Sequence, residues 1–152
     1  MPRLLIVYNS TTGNTKAMAD AIAEGARSLK LDTEVVDAFN VTPEDVMAAD
    51  AIGFGVPTFN YHAAKPILKL LDDLAGKNVT DKLAIVFGSY GWSGQGAPVV
   101  AERLRQMGFR VLDPVIRVKY RPTENELDGC QLLGKDVAMH LKNIRMTENL
   151  NA

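Results

Sequence analysis

Residues 4–15 read Leu-Leu-Ile-Val-Tyr-Asn-Ser-Thr-Thr-Gly-Asn-Thr, and this segment joins an apolar run to a polar loop. Its first five residues are apolar or aromatic and predict a buried strand, while apolar residues at helical spacing begin after Lys16. Because the start of a helix offers unpaired backbone N–H groups, hydroxyl, amide and backbone donors can converge there on one anion. The residues expected to hold a phosphate are Ser10, Thr11, Thr12, Gly13, Asn14 and Thr15.

This loop contains no lysine, and that narrows the range of possible ligands. A nucleoside triphosphatase loop requires G-x-x-x-x-G-K-[ST], and a dinucleotide-binding turn requires G-x-G-x-x-G. Neither pattern occurs between the first strand and the first helix. A monophosphate held by hydroxyls and amides is the simplest remaining interpretation.

Length and composition indicate one ordinary domain with its own core. The chain has 152 residues, and its 17 basic and 18 acidic side chains nearly cancel, which disfavours a nucleic-acid or membrane-surface partner. The single cysteine, Cys130, allows no internal disulfide, and two histidines are too few for a metal cluster. No apolar stretch approaches the ~18 residues of a membrane span, and no signal peptide is seen, so we expect a cytoplasmic protein.

Strand-like and helix-like segments alternate along the chain. Strands are predicted at residues 4–8, 34–36, 51–56, 83–88 and 111–118. The third and fourth are almost wholly apolar, which predicts helices on both faces of a doubly wound parallel sheet. Helix boundaries are indicated by Thr42-Pro43, Pro66, Gly108 and the capping box of Thr123 and Glu126. We expect a domain over residues 1–146 and a frayed tail at 147–152.

Two further loops carry ligand-type residues at the ends of the third and fourth strands, where doubly wound sheets bind their ligands. Both mix aromatic residues with amides or glycines, which suits the faces and polar edge of a flat heteroaromatic ring. The three loops together predict a planar ring joined by a sugar-like chain to a monophosphate. The candidates in the second loop are Pro57, Thr58, Phe59, Asn60 and Tyr61, and those in the third are Ser89, Tyr90, Gly91, Trp92, Ser93, Gly94 and Gln95.

The pattern Ser10-x-Thr12-Gly13-x-Thr15 resembles the phosphate loop [ST]-x-T-G-x-T of flavodoxins. That resemblance implies an α/β fold with a five-stranded parallel sheet of order 2-1-3-4-5, and flavin mononucleotide (FMN) as cofactor. Residues 55–60, 87–94 and 117–123 more closely resemble the flavin domain of flavodiiron proteins. The separate diiron domain of those proteins has no counterpart here, since only His62 and His140 are available.

The resemblance also implies roles for the three loops. The first loop would hold the FMN phosphate, residues 58–61 would line one side of the isoalloxazine ring, and residues 89–95 would cover its other face. Spacing leaves open whether Trp92 or Tyr90 stacks on the ring. No catalytic residue and no metal ligand is expected.

The implied function is that of a soluble, low-potential electron carrier with redox protein partners, acting as a monomer or homodimer. One alternative is an FMN-dependent NAD(P)H:quinone or flavin reductase. Another is the electron-donor subunit of a split flavodiiron-type oxygen or nitric oxide reductase, and a third is a flavin-free domain that kept the fold.

Two other features receive structural interpretations. Cys130 lies on the apolar stripe of the last helix and is predicted to be a buried core thiol. Arg117, Lys119 and Arg121 are interpreted as a solvated strand end, with partner docking as the weaker alternative.

Overall fold

The computed structural model describes residues 3–10, 12–59, 62–91 and 94–151. Strands and helices alternate through these ranges. The strands are β1 Leu4–Tyr8, β2 Thr33–Asp37, β3 Ala51–Gly55, β4 Thr58–Phe59, β5 His62–Ala63, β6 Leu83–Tyr90, β7 Arg110–Val111 and β8 Ile116–Lys119. The helices are α1 Asn14–Ser28, α2 Pro43–Ala48, α3 Lys65–Leu74, α4 Gly96–Met107 and α5 Glu124–Asn151, with one 3₁₀ turn at Ala38–Asn40.

The central sheet is parallel and has the predicted strand order. β1 lies between β2 and β3, and β3 pairs with β6, so that Ile6 is opposite both Val35 and Gly53. β7 and β8 both pair in parallel with β6 and share the fifth position. The order 2-1-3-4-5 is therefore confirmed, with the fifth strand broken into two pieces. Pro114 lies in the break, where it has no N–H to give to a ladder.

A small hairpin adds to the five predicted strand positions. β4 and β5 pair antiparallel, and Thr58 of β4 pairs in parallel with Tyr90 at the end of β6. Each hairpin strand is two residues long, too short to leave a period in the sequence. The fourth predicted strand, β6, also runs on to Tyr90, so Ser89 is a strand residue rather than a loop residue. The pairing of Thr58 with Tyr90 draws the second and third loops together.

Helices cover both faces of the sheet, as predicted. Alternate residues of β1 point to opposite sides: Leu5 and Val7 enter a core with α2, α3 and α4, while Leu4 and Ile6 enter a core with α1 and α5. The predicted buried thiol is confirmed, since Cys130 is 0% exposed in the second core. Burial raises its pKa to about 11.

The predicted helix boundaries agree with the structure in most places. Reciprocal bonds form the capping box of α5, from Thr123 N–H to Glu126 Oε1 at 3.0 Å and from Glu126 N–H to Thr123 Oγ1 at 3.2 Å. Gly108 ends α4 with a φ of 111°. The first helix starts earlier than its apolar pattern, at Asn14. α5 runs to Asn151, and fraying of the tail from residue 147 stays a prediction.

Candidate functional site

One cavity of about 240 Å³ lies where the first, second and third loops meet. It is formed at the C-terminal ends of β1, β3 and β6, which is where a doubly wound sheet places its ligand. Nine of its described lining residues were predicted from the sequence, and Tyr120 was not. The lining comprises Ser10, Thr12, Asn14, Thr15, Pro57, Thr58, Ser89, Tyr90, Gly91 and Tyr120.

The remaining predicted residues divide into two groups. Gly13, Gly94 and Gln95 are described but are not among the lining residues of the cavity. Thr11, Asn60, Tyr61, Trp92 and Ser93 lie outside the described residues, as does the side chain of Phe59. Tyr90 lines the cavity, but whether it or Trp92 stacks on a ligand ring stays a prediction.

The first loop is shaped by its glycine. Gly13 has a φ of 88°, a conformation that glycine adopts readily, and it is the N-cap residue of α1. Its own N–H donates to Ser10 Oγ at 3.0 Å, which folds the loop back on itself. Because glycine has no side chain, it cannot cap the first turn of α1. The N–H of Asn14 donates to Thr12 Oγ1, and the N–H groups that follow it in that turn are left for an anion.

Four hydroxyls of the cavity share one arrangement: each accepts a backbone N–H. Ser10 and Thr12 accept within the first loop, from Gly13 at 3.0 Å and from Asn14 at 3.4 Å. Thr15 accepts from Ser89 N–H at 3.3 Å, and Thr58 accepts from Gly96 N–H at 2.9 Å. A hydroxyl has one proton and two lone pairs, so accepting these bonds leaves each proton free to donate to a ligand.

Ser89 behaves differently from these four hydroxyls. Its Oγ donates to the backbone oxygen of Tyr120 at 2.8 Å, and the N–H of Tyr120 donates to the oxygen of Tyr90 at 2.7 Å. Together with the bond from Ser89 N–H to the buried Thr15, this ties the first loop, β6 and the end of β8 into one network. Ser89 therefore positions its neighbours, although it also lines the cavity.

Two close backbone approaches keep the second and third loops in register. A Cβ atom on Gly88 would lie 1.9 Å from the oxygen of Val56, so β3 and β6 can approach this closely only with glycine there. A Cβ atom on Gly96 would lie 2.6 Å from Thr58 Oγ1, the atom that the Gly96 N–H contacts. Gly96 was not among the predicted site residues.

The described lining of the cavity carries no charged side chain. Lys16 is the nearest lysine in sequence, but its ammonium donates to Asp20 at 2.9 Å, and this hydrogen bond together with the carboxylate charge raises its pKa. Arg117 donates to the backbone oxygen of Gly94 at 3.3 Å. An anion in the cavity is therefore met by N–H and O–H dipoles rather than by a cation.

A larger groove of about 550 Å³ lies between β8 and α5. Its described walls are mainly apolar, with Ile116 and Leu132 among them, and include Arg117, Glu126 and Asp136. None of the described walls carries a hydroxyl, and two carboxylates would repel a phosphate. The smaller cavity is therefore the candidate site for the predicted ligand.

The described ranges contain neither a metal-type cluster nor a membrane-type helix. No three histidine, cysteine or acidic side chains there come together as a metal site would require. No helix in the same ranges is both long and apolar enough to cross a membrane.

A doubly wound parallel sheet with an uncharged, hydroxyl-lined cavity at its C-terminal edge is typical of proteins that bind a phosphorylated cofactor. Comparison with known protein families identifies the family within this class. The model of the flavodoxin family matches residues 6–134, and the chain belongs to that family.

Individual relatives agree with this assignment. The chain is 36% identical over 144 residues to a putative diflavin flavoprotein A 6 of Nostoc sp., covering 92% of the chain and 25% of that protein. A flavodoxin from the domain Archaea superposes with a TM-score of 0.87 and 41% identity, over 91% of this chain and 98% of that one. The flavodiiron core of Flv1 from Synechocystis superposes with a TM-score of 0.85 and 34% identity, over 93% of this chain and 36% of that one.

These comparisons confirm the predicted family and its cofactor, FMN. The chain is an FMN-binding, flavodoxin-like electron-transfer domain. It spans about a quarter of the length of the diflavin relative.

Proposed function

We propose that this domain acts as a soluble, cytoplasmic, low-potential electron carrier between redox proteins. FMN supplies the reversible uptake of electrons, and the protein supplies binding, orientation and electrostatics. A cavity lined without cations offers no positive charge to stabilise an anionic reduced flavin. This supports a low reduction potential.

The observation that carries the proposal is the set of hydroxyls that accept backbone N–H groups. Ser10, Thr12 and Thr15 would donate their protons to the FMN phosphate, with Asn14 and the first turn of α1 beside them. Hydrogen bonds to charged groups contribute about 1.5 to 3 kcal/mol each, so a few of them can hold a phosphate without a lysine. Thr58 and Tyr90, across the same cavity, would contact the remainder of the cofactor.

The chemistry of the lining favours a carrier over an enzyme. The titratable side chains among its described residues are two tyrosines, and no carboxylate, histidine, lysine or thiol accompanies them. Electron transfer through a bound flavin needs no general acid or base from the protein. An FMN-dependent NAD(P)H:quinone or flavin reductase remains the alternative from a different class.

The relatives support two settings for the carrier. Likeness to a whole archaeal flavodoxin supports a free-standing electron carrier. Likeness to the Flv1 flavodiiron core supports an electron-donor subunit of a split flavodiiron-type oxygen or nitric oxide reductase. In both settings the partners would contact the second and third loops, which contain no acidic residue. The first charged side chain after the second loop is the exposed Lys65. The proposal includes a carrier that acts as a monomer or as a homodimer.

The first test is titration of FMN with the purified chain, followed by flavin fluorescence and the visible spectrum. We expect quenching of the fluorescence, a shifted flavin spectrum and a one-to-one complex. A chain that leaves the fluorescence of micromolar FMN unchanged would contradict the proposal and would support a flavin-free domain.

A second measurement separates the carrier from the reductase. The FMN-loaded chain is mixed with NADH or NADPH and a quinone, and oxidation of the nicotinamide is followed by absorbance. A carrier gives negligible turnover but becomes reduced by dithionite and passes its electrons to cytochrome c. Rapid steady-state turnover with the nicotinamide would identify a reductase instead.

A further inference from the structure

Three described residues other than glycine have left-handed backbone: Lys30, Asp81 and Tyr120, with φ of 63°, 61° and 60°. Lys30 lies just past the end of α1, where its N–H donates to the oxygen of Arg27 at 2.9 Å, and left-handed residues are common there. Asp81 lies in the turn before β6, and aspartate tolerates this conformation. For a bulky residue such as Tyr120 it is unusual and costs folding free energy.

The backbone of Tyr120 is held in this conformation from both sides. Its N–H donates to the oxygen of Tyr90 at 2.7 Å, and its oxygen accepts from Ser89 Oγ at 2.8 Å. Both partners belong to the end of β6, and Ser89 is in turn bonded to Thr15 of the first loop. The strained residue is therefore fastened directly to β6 and, through Ser89, to the start of α1.

The ring of Tyr120 lies at the cavity with much of its surface free. It is one of the described lining residues, and a Cβ atom on Gly91 would lie 3.0 Å from its Cε1 atom. Even so, 59% of the residue is exposed. Among the exposed large hydrophobic residues described, Tyr120 alone lines this cavity; Phe39, the most exposed, lines a different one.

We infer that Tyr120 is a cofactor-contacting residue, which packs on the part of FMN that riboflavin shares, and that its left-handed backbone is retained because it places the ring there. The inference rests on FMN as the ligand of the cavity. An aromatic ring gains from contact with carbon and with another π-system, and it offers no positive charge to a phosphate. The phosphate end is already supplied by the first loop.

The neighbouring Lys119 fits this role for the ring. Its Nζ lies 5.7 Å from the centroid of the Tyr120 ring, within the range of a cation–π contact. An ammonium at this distance favours the side-chain orientation that keeps the ring at the cavity over orientations that point into solvent. Tyr120 is thus a fourth contribution to the site, made by the segment after β8.

The test replaces Tyr120 with glycine, which relieves the backbone strain and removes the ring. We expect the cofactor-free Tyr120→Gly variant to melt no lower than the wild type, and up to about 2 to 4 °C higher. We expect its Kd for FMN and its Kd for riboflavin to rise by about the same factor, roughly tenfold. Tyr120→Phe keeps the ring and should bind both flavins as the wild type does.

Lys30→Gly and Asp81→Gly are matched controls, because they relieve the same backbone strain away from the cavity. Both should melt at or above the wild-type temperature and bind both flavins with unchanged Kd. This separates an effect of the Tyr120 ring from an effect of the backbone.

Each other outcome overturns the inference in a recognisable way. If the wild type binds FMN and Tyr120→Gly binds it equally tightly, Tyr120 does not contact the cofactor. If only FMN binding weakens, the residue acts at the phosphate, and if Tyr120→Phe weakens binding equally, the hydroxyl matters and not the ring. A clear fall in the melting temperature of cofactor-free Tyr120→Gly would show that folding needs the ring. If the wild type binds neither flavin, the proposed function fails first, and the inference with it.

Discussion

The contact between α1 and α5 and the cavity at the sheet edge both bring backbones unusually close, yet they differ in what they leave unsatisfied. Between the helices, a Cβ atom on Gly25 would lie 2.0 Å from the oxygen of Gln131, and one on Gly134 would lie 2.0 Å from that of Ile22. Their shared core is apolar. At the cavity, close approach instead fixes hydroxyls such as Thr58, whose protons have no acceptor among the described residues.

This difference separates a region that offers no hydrogen-bond donors to a ligand from one that does. α1 belongs to both, because its middle packs on α5 while its first turn carries Asn14 and Thr15 into the cavity. Packing therefore sets the place and direction of the helix start, and the free donors at that start set what binds. Changes in the two regions should accordingly affect stability and affinity separately.

The largest effect is expected from a methyl group between the helices. Gly134→Ala places a Cβ atom against a backbone oxygen that cannot move aside, so α1 and α5 must separate. We expect a loss of about 3 kcal/mol or more in the free energy of unfolding, measured by urea denaturation of the cofactor-free chain.

Gly129→Ala is the control on the same helix, since a Cβ atom there meets nothing within 4 Å. This change should be neutral or stabilise the chain by up to about 1 kcal/mol, because alanine is the better helix former. Equal losses in the two variants would mean that the glycines matter for another reason than close packing.

The next effect concerns the hydroxyls of the first loop. Thr12→Val removes a donor to the phosphate, and we expect FMN to bind about 10- to 100-fold more weakly while riboflavin binding hardly changes. Thr15→Val should weaken FMN binding similarly. It should also lower the free energy of unfolding by about 1 to 3 kcal/mol, because the N–H of Ser89 loses its acceptor.

Fluorescence titrations with both flavins and a denaturation curve for each variant check this pair. Because Thr12 is exposed, Thr12→Val should leave the free energy of unfolding nearly unchanged. Of the two variants, it is the one expected to affect binding alone. A parallel loss of riboflavin affinity in Thr12→Val would remove the phosphate assignment.

A smaller effect is expected at the contact between the second loop and α4. Gly96→Ala forces Thr58 Oγ1 away from the N–H group that holds it, and we expect FMN affinity to fall about tenfold. Thr58→Ala removes the oxygen and with it the clash. The double variant should therefore lose no more affinity than Thr58→Ala alone, and additive losses would place the effect of Gly96 elsewhere.

The smallest effect lies in the core beside α5 and depends on pH. The thiol of Cys130 has its pKa raised by burial from the ordinary value of 9.0 to about 11. Between these values the unfolded chain loses the proton while the folded chain keeps it. The contribution of this thiol to the free energy of unfolding is thus fully present below about pH 9. It falls as the pH rises, by about 1 kcal/mol at pH 10.

Denaturation curves at pH 8, 9 and 10 for the wild type and Cys130→Ala check this expectation. The alanine variant starts less stable because it leaves a small cavity, but it should lose less stability over that range than the wild type does. Identical pH profiles would show that the thiol ionises as easily in the folded chain as in the unfolded one.

Much of the fold and most of the described cavity lining were predicted from local patterns. The phosphate loop and the capping box of α5 depend on neighbours in sequence, whose chemistry is readable there, whereas the strand order was implied by the resemblance to flavodoxins. The hairpin of β4 and β5 was missed because two-residue strands show no period. Tyr120 was missed as a site residue because its position depends on bonds to Ser89 and Tyr90, about thirty residues away in sequence.

The sequence alone predicted an alternating α/β sheet with a phosphate loop at its edge, and its resemblance to flavodoxins implied the family and FMN. It could do so because hydrophobic periodicity sets the sheet, and a lysine-free run of hydroxyls before a helix sets the phosphate site. The folded structure was needed to show which hydroxyls accept a backbone N–H, which glycines permit close approach, and that Tyr120 lines the cavity. Those properties arise from pairs of groups far apart in the chain, and a distance between such groups exists only once the chain has folded.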